Sequence, residues 1–419
     1  MSVEGWRESY LNEITTKITK GTTPTTIGCS FVSKGINFIK SECIASERLL
    51  DKSKYVYIDV LTHEKLKRSQ IEVNDILFSM AGMFLGKTAI VNETDVPANT
   101  NQAVAIIRVD EQKAHYAFVY YYLNQYHIKE HINNSTSQSA QPNINLKQIG
   151  EISLVLPNLS EQKAIAATLS VLDDTVELNN QINKKLEEMA QAIFKSWFVD
   201  FEPFKDGEFE ESELGLIPRG WRVDSIGNCT SIVTRGIAPK YADFSDRHVI
   251  NQKCIRDGSL NTSLARPHCS VVKEEKKLLF GDVLINSTGV GTLGRVAQVY
   301  EHLENYTVDS HVTIVRLNMS NGIGYFGCML KNMQPKFEHA ATGSTGQTEL
   351  GREAIKQMRI LIPDNKTIDD FSKIYNSLSN KIVYYNKENK VLSNIRYTLL
   401  PKLMSSEIRV PVEEGERVV

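Results

Sequence analysis

The amino-acid sequence predicts an α+β protein of two mixed α/β domains, each followed by a long coiled-coil helix, with the second half an internal repeat of the first. Three observations predict it. Motifs of the first half return in the same order in the second. Two stretches of nearly forty residues carry apolar positions at alternating four-three spacing, the mark of a coiled-coil seam. The roughly 150 residues before each stretch hold short β-branched runs broken by Gly, Asn and Ser, which read as strands and loops.

The repeat can be followed by position. ITKGTTP from Ile18 returns as VTRGIAP from Val233, and Gly5-Trp6-Arg7 as Gly220-Trp221-Arg222. NDILFSMAGMFLGKTAIV from Asn74 matches GDVLINSTGVGTLGRVAQV from Gly281, and Gln141, Ile149 and Pro157 match Gln347, Ile355 and Pro363. The offset is constant within blocks and changes between them, as loops absorb length differences. A period of roughly 210 residues is far beyond a solenoid repeat, so a whole domain plus helix is duplicated. A doubled protein is suited to a doubled target.

The elements follow in order. Residues 1–157 form the first globular domain, with strands in VYIDV from Val56, AVAIIRV from Ala103 and ISLVLP from Ile152. Residues 158–199 form the first long helix, its seam running Ile165, Leu169, Leu172, Val176, Ile182, Leu186, Met189 and Ile193, with Ser160 before Glu161 as its cap. Residues 200–219 are a linker where Asp200, Glu202, Asp206, Glu208, Glu210, Glu211 and Glu213 face only Lys205. Residues 220–363 form the second domain, with strands in SVV from Ser270, HVTIVRL from His311 and MRILIP from Met358. Residues 364–406 form the second long helix, with seam Phe371, Tyr375, Leu378, Ile382, Tyr385, Leu392, Ile395 and Leu399, and Thr367 before Asp369 and Asp370 as its cap. Residues 407–419 are a tail. Asn183 and Asn389 take one place in the two helices, near the seam, where an amide can fix register.

Composition excludes several classes. At 419 residues, 41% apolar and 23% charged, the chain has room for two or three cores. No apolar run approaches the roughly 18 residues of a membrane span, and no basic, apolar leader opens the chain, so a cytoplasmic protein is expected. Cys29, Cys43, Cys229, Cys254, Cys269 and Cys328 form no CxxC pair, which suits a reducing compartment and argues against structural zinc. A net charge of -2 decides nothing, because nucleic acid needs a local basic face. With acid gathered in the linker, and Lys373, Lys381, Lys387, Lys390, Arg396 and Lys402 on the second helix, the remainder is mildly basic.

Apparent catalytic motifs fail on context. Gly289-Val290-Gly291-Thr292-Leu293-Gly294 fits GxGxxG, but a strand follows where a dinucleotide site needs a helix, so the reading is a glycine-rich hairpin. Pro363-Asp364 with Glu388-Asn389-Lys390 mimics a nuclease order, yet helical spacing separates them by about 36 Å, too far to share a metal. No Walker loop, HExxH, nucleophile elbow or NPPY-like loop is present. The loops instead are rich in small polar side chains, STSQSAQPNIN from Ser135 and TGSTGQTEL from Thr342, suited to phosphates and base edges.

LPNLSEQKAIAATLSVLDDTVELNNQINKKLEEMAQAIFKSWFVDFEPF, SELGLIPRGW and YTLLPKLMSSEI resemble the specificity subunit of type I restriction-modification systems, over essentially the whole chain. TIDDF at the start of the second helix departs from the SEQKAI form. The resemblance implies two target recognition domains, each reading half of a split, asymmetric DNA site, separated by the two long helices packed antiparallel. It implies no catalysis and no cofactor in this chain. Two adenine-N6 methyltransferase subunits would carry S-adenosylmethionine, and restriction-translocase subunits ATP and Mg. DNA candidates follow from the shared loops. Lys20 and Arg235, aligned beside Gly21 and Gly236, are expected to anchor phosphate. Ser79, Asn101, Gln102, Gln138, Gln141 and Asn143 in the first half, and Asn251, Lys253, Arg256, Ser287, His311 and Gln347 in the second, are candidate base readers. Trp6, Trp221 and Trp197 are expected to pack rather than stack on bases. A methylation-only system is an alternative setting. A self-contained modifying enzyme and a coiled-coil scaffold without DNA affinity are alternatives of other classes.

Overall fold

The computed structural model describes residues 5–44, 48–136, 143–318, 322–343 and 348–411. The chain divides into two units, Met1–Leu178 with Glu388–Val419, and Asn179–Lys387. The division falls inside both long helices, Leu159–Phe198 and Asn365–Met404, so each unit holds one globular domain and half of each helix.

In the first unit the central sheet has four antiparallel strands, ordered Thr15–Lys20, Val104–Val109, Ile76–Ser79 and Thr88–Ile90. Its side chains alternate between two cores, as the period of two in a strand requires. Ile76, Phe78, Ala105 and Ile107 face helices Tyr116–Leu123 and Leu159–Phe198, while Leu77, Ala89, Val104 and Ile106 face the other way. On that second face lie Ile36–Ile39 and Ala98–Thr100, paired in parallel. The strand Arg7–Tyr10 pairs antiparallel with Ser153–Leu156, so the domain closes on itself just before the long helix begins.

The second unit repeats this plan. Thr230–Arg235, Val312–Leu317, Val283–Asn286 and Val296–Gln298 form the four-stranded sheet, and Val283 and Ile285 alternate with Leu284 between two cores. Arg222–Ser225 pairs with Arg359–Ile362 as the closing ribbon. Even irregularities recur, since the register slips between Thr15 and Lys17 and again between Thr230 and Ile232. Each sheet also carries a buried ion pair: Arg108 Nε donates to Asp75 at 2.8 Å and Arg316 Nε to Asp282 at 2.7 Å. Removing one partner of such a pair costs about 3–5 kcal/mol, because the other charge stays buried.

Within each unit the two long helices run antiparallel. Arg396 pairs with Asp173 in the first unit, where Leu403 and Met404 share a core with Ile165 and Leu169. Asn183 donates to Asn386 at 2.9 Å in the second, where Phe194 packs on Phe371. Ile165, Leu169, Leu186, Phe371 and Ile382 are buried, and Leu172, Val176, Ile193, Leu378, Leu392 and Leu399 are half-buried. Met189 and Ile395 depart from the expected seam, 51% and 40% exposed, and beside Met189 it is Ala190 and Phe194 that turn inward instead. An ideal helix drifts about 20° per heptad against a 3.5 repeat, so an unbroken four-three pattern overruns the buried face.

Two further expectations are corrected. The helix caps are Asn158 and Asp364, whose carboxamide and carboxylate accept the amides of Glu161 and Thr367, in place of Ser160 and Thr367. Ser270–Val272 is no strand, because Ser270 spends its hydroxyl and carbonyl on Lys240 and Arg247. The acidic linker is folded: Phe209–Ser212 and Gly215–Pro218 form a hairpin, Ile217 is buried, and Glu208 and Glu213 pair with Arg219 and Arg359. Trp6 and Trp221 are buried in the two helix-facing cores, and Trp197 packs against Phe371. The six cysteines are free, and no described helix is long and apolar enough to cross a membrane.

Candidate nucleic-acid interface

One end of each four-stranded sheet gathers loops from distant parts of the sequence. In the first unit the Gly21 and Thr22 amides donate to Asn101 and Thr100, the Met80 amide to Ala103, and the Ile144 amide to Met80. In the second the Ile237 amide donates to Val308, the Ser287 amide to His311, and the Leu350 amide to Ser287. Bridges between Ala81 and Asn143, and between Thr288 and Glu349, complete the match. The same rim is therefore built twice on largely matching backbone bonds but with different side chains, the exception being Gly236, whose amide donates to Val312 where Gly21 donates to Asn101.

Lys20 ends its strand exposed at this rim, as do Gln102 and Asn143. Asn101 is half-buried, its Oδ1 taking the Ala103 amide, and Gln102 bonds Thr23. Arg235 sits where Lys20 does but is engaged: Nη2 donates to the Leu350 carbonyl at 3.0 Å and lies 2.7 Å from Glu349 Oε1. His311 is exposed, its Nδ1 2.8 Å from Thr288 Oγ1. Asn251, Lys253 and Arg256 lie on a neighbouring turn, where Asn251 caps Gln252–Cys254, Lys253 is exposed, and Arg256 faces Asp257 at 3.3 Å. Gln252 ties that turn to the rim, donating to Thr288 Oγ1 at 2.9 Å.

Ser79 and Ser287 are corrections. Both are fully buried at strand ends, Ser287 bonded to Thr313 Oγ1 at 2.6 Å, and neither can reach a base from there. Gln138, Gln141 and Gln347 lie outside the described residues. The glycine-rich stretch is the hairpin joining Val283–Asn286 to Val296–Gln298, with Gly289, Gly291 and Gly294 at positive φ. Asp364 caps a helix and accepts the Trp221 indole N–H, so it belongs to packing.

Sequence reading passed over Glu349, Thr288 and Gln252. A signal existed, since Glu349 is offset from Asn143 as Gln347 is from Gln141. Charge at the rim is local: burial pushes the Asp309 carboxyl above the usual carboxylate range, opposed by the His311 amide. Among the described residues no cluster of three or more His, Cys, Asp or Glu could hold a metal. Thr288 and His311 set a hydroxyl beside an imidazole at the second rim, and the described side chains of both rims are chiefly donors and acceptors at a surface, as recognition requires.

Residues 3–188 match the family described as type I restriction modification DNA specificity domain. The chain is 27% identical over 372 residues to the MjaIX specificity subunit of a type I restriction enzyme from Methanocaldococcus jannaschii, covering 85% of this chain and 84% of that protein. It is 25% identical over 336 residues to the HindI specificity subunit from Haemophilus influenzae, covering 64% and 71%. In fold it is similar to the crystal structure of a type I restriction-modification system S subunit from M. genitalium, with a TM-score of 0.54 at 17% identity over 95% of this chain and 96% of that one. Residues 3–188 thus match a type I restriction modification DNA specificity domain, and over most of its length the chain is similar to specificity subunits of type I restriction enzymes.

Proposed function

We propose that this subunit reads a bipartite, asymmetric site in double-stranded DNA, one half-site per globular domain. The reading further has it dock two adenine-N6 methyltransferase subunits, and with them the restriction subunits. The observation that carries this is the rim built twice on largely matching backbone bonds with different side chains: Lys20, Ala81 and Asn143 in one, Arg235, Thr288 and Glu349 in the other. Equal scaffolds with unequal donors and acceptors suit two unequal half-sites. Lys20, Asn101, Gln102, Asn143, Asn251, Lys253, Arg256 and His311 remain the proposed contacts of the original set, with Gln138, Gln141 and Gln347 proposed from sequence alone. Methyl transfer with S-adenosylmethionine, and cleavage with ATP and Mg, then fall to the partners.

The test is a domain exchange. The ribbon joining Arg7–Tyr10 to Ser153–Leu156 sets residues 1–157 as the piece to swap with a relative. Sequencing the methylated motif in the host should show one half-site replaced and the other intact. A swap that alters both, or neither, in a folded and active complex overturns the reading.

A further inference from the structure

We infer that Arg235 and Glu349 together read a single G·C base pair in the half-site of the second domain, Arg235 donating to guanine and Glu349 accepting from the cytosine amino group. The inference rests on the proposed reading of DNA by that domain.

The placement of the pair is fixed by backbone. Arg235 is the last residue of its strand, held in register against Thr313. Glu349 is bridged to Thr288 on one side and exchanges both backbone bonds with Thr342 on the other, at 3.0 and 2.9 Å. The next residue, Leu350, is fully buried, donates its amide to Ser287 at 2.8 Å and accepts Arg235 Nη2. The guanidinium is thus held before any DNA arrives, and a fork already fixed loses little rotamer freedom on binding.

The carboxylate argues against a phosphate contact. Glu349 is 55% exposed and lies 2.7 Å from Arg235, so a phosphate approaching that arginine would meet a second anion at the same place. A base pair poses no such conflict. In the major groove guanine offers the acceptors O6 and N7, and its paired cytosine offers the N4 donor, which is the complement of a guanidinium beside a carboxylate. Thr288, held by Gln252 and His311, bridges to the Glu349 backbone.

The first domain supplies the internal contrast. Lys20 and Asn143 take the positions of Arg235 and Glu349, so that rim has a cation and an amide but no carboxylate. Acceptance from a cytosine amino group by an acid at this position is therefore particular to the second half.

The experiment uses the full subunit assembled with its methyltransferase partners. Glu349→Gln keeps shape and removes charge, and Arg235→Lys keeps charge and removes the fork. Binding would be measured on the methylated motif and on duplexes changed one base pair at a time. Each variant should lose roughly 10- to 100-fold in discrimination at one G·C position, with the other half-site unchanged. Thermal unfolding of each variant should match the parent, which separates loss of reading from loss of fold. If Arg235→Ala instead weakens all sequences equally and lowers the salt slope by about one, the arginine holds phosphate and the inference is wrong. Unchanged discrimination in Glu349→Gln also overturns it. An exchange of residues 220–363 run alongside isolates the cause: if it still replaces one half-site, only this inference has failed, and if it replaces none, the DNA reading itself has failed.

Discussion

A single hydrogen atom decides what can stand at the base of each rim. A Cβ at Gly236 would lie 1.8 Å from the Val308 carbonyl oxygen, and one at Gly21 would lie 1.9 Å from that of Thr100. Neither gap can open without parting the strand from the loop it bonds. Gly236→Ala is therefore expected to destabilise the second domain by about 3 kcal/mol or more, at the upper end of overpacking costs. A thermal melt of the purified subunit checks it, and an unchanged midpoint would mean that the rim yields freely. In sequence, the pairing of a cation with glycine in both halves was legible, but its cause was not, since it lies in a carbonyl about 70 to 80 residues away in the chain. Ser79 and Ser287 show the opposite limit. Hydroxyls near a glycine-rich loop read as surface groups, yet Ser79 ends a strand and Ser287 follows one, and both are fully buried. Residue type gives a side chain's chemistry, and only the sheet gives its direction.

The long helices were legible because one face of each is apolar over ten turns, and their length alone stands out. The buried helices Tyr116–Leu123 and Ile323–Asn332 were not, because a helix covered all round has no polar face to mark its period. The caps extend the repeat into energetics. Asn158 and Asp364 each hold one helix amide, but Asp364 also accepts the Trp221 indole and the Thr367 hydroxyl, while the Trp6 indole nitrogen is buried without a partner among the described residues. Asp364→Ala should cost more than Asn158→Ala, the latter about 1 kcal/mol. Burial raises the Asp364 pKa, but those donors outweigh it and hold the carboxyl below the usual range. Its contribution is then present above about pH 4, the ordinary carboxylate value, and fades as pH falls through the folded pKa. Equal losses from the two substitutions at neutral pH would refute the ranking. Met189 and Ile395, one per copy at matched positions, leave an apolar side chain exposed on each helix. Met189→Glu and Ile395→Glu should leave the melt within about 0.5 kcal/mol of the parent. If the helices hold the methyltransferase subunits, each change should weaken the docking of one copy, read as a loss of stoichiometry by native mass spectrometry. Two full copies on the double variant would place docking elsewhere.

For the whole molecule, if each domain reads one half-site as proposed, a gap that neither reads lies between them, and we propose that helix length sets it. Each long helix has 40 residues and is shared between the two units, so residues added where the units divide would lengthen what joins them. Inserting after Leu186 and Leu392, which the repeat alone suggests, would shift Asn183 off Asn386, because both pairing partners lie in one unit while the insertion falls beyond them in only one helix. The Arg396–Asp173 and Asn183–Asn386 pairs fix the antiparallel register on either side of the division, and they point to Leu178 and Lys390 as opposed positions. Four residues after each would add about one turn, roughly 6 Å, and leave both pairs intact. At about 3.4 Å per base pair that is one or two pairs of DNA. The methylated motif of this variant should keep both half-sites and lengthen the unread gap by that amount. An insertion in one helix alone should cost folding, because the seam would slip against an unchanged partner. A doubly extended subunit that folds, assembles and methylates with the original gap would show that something other than the helices measures the distance.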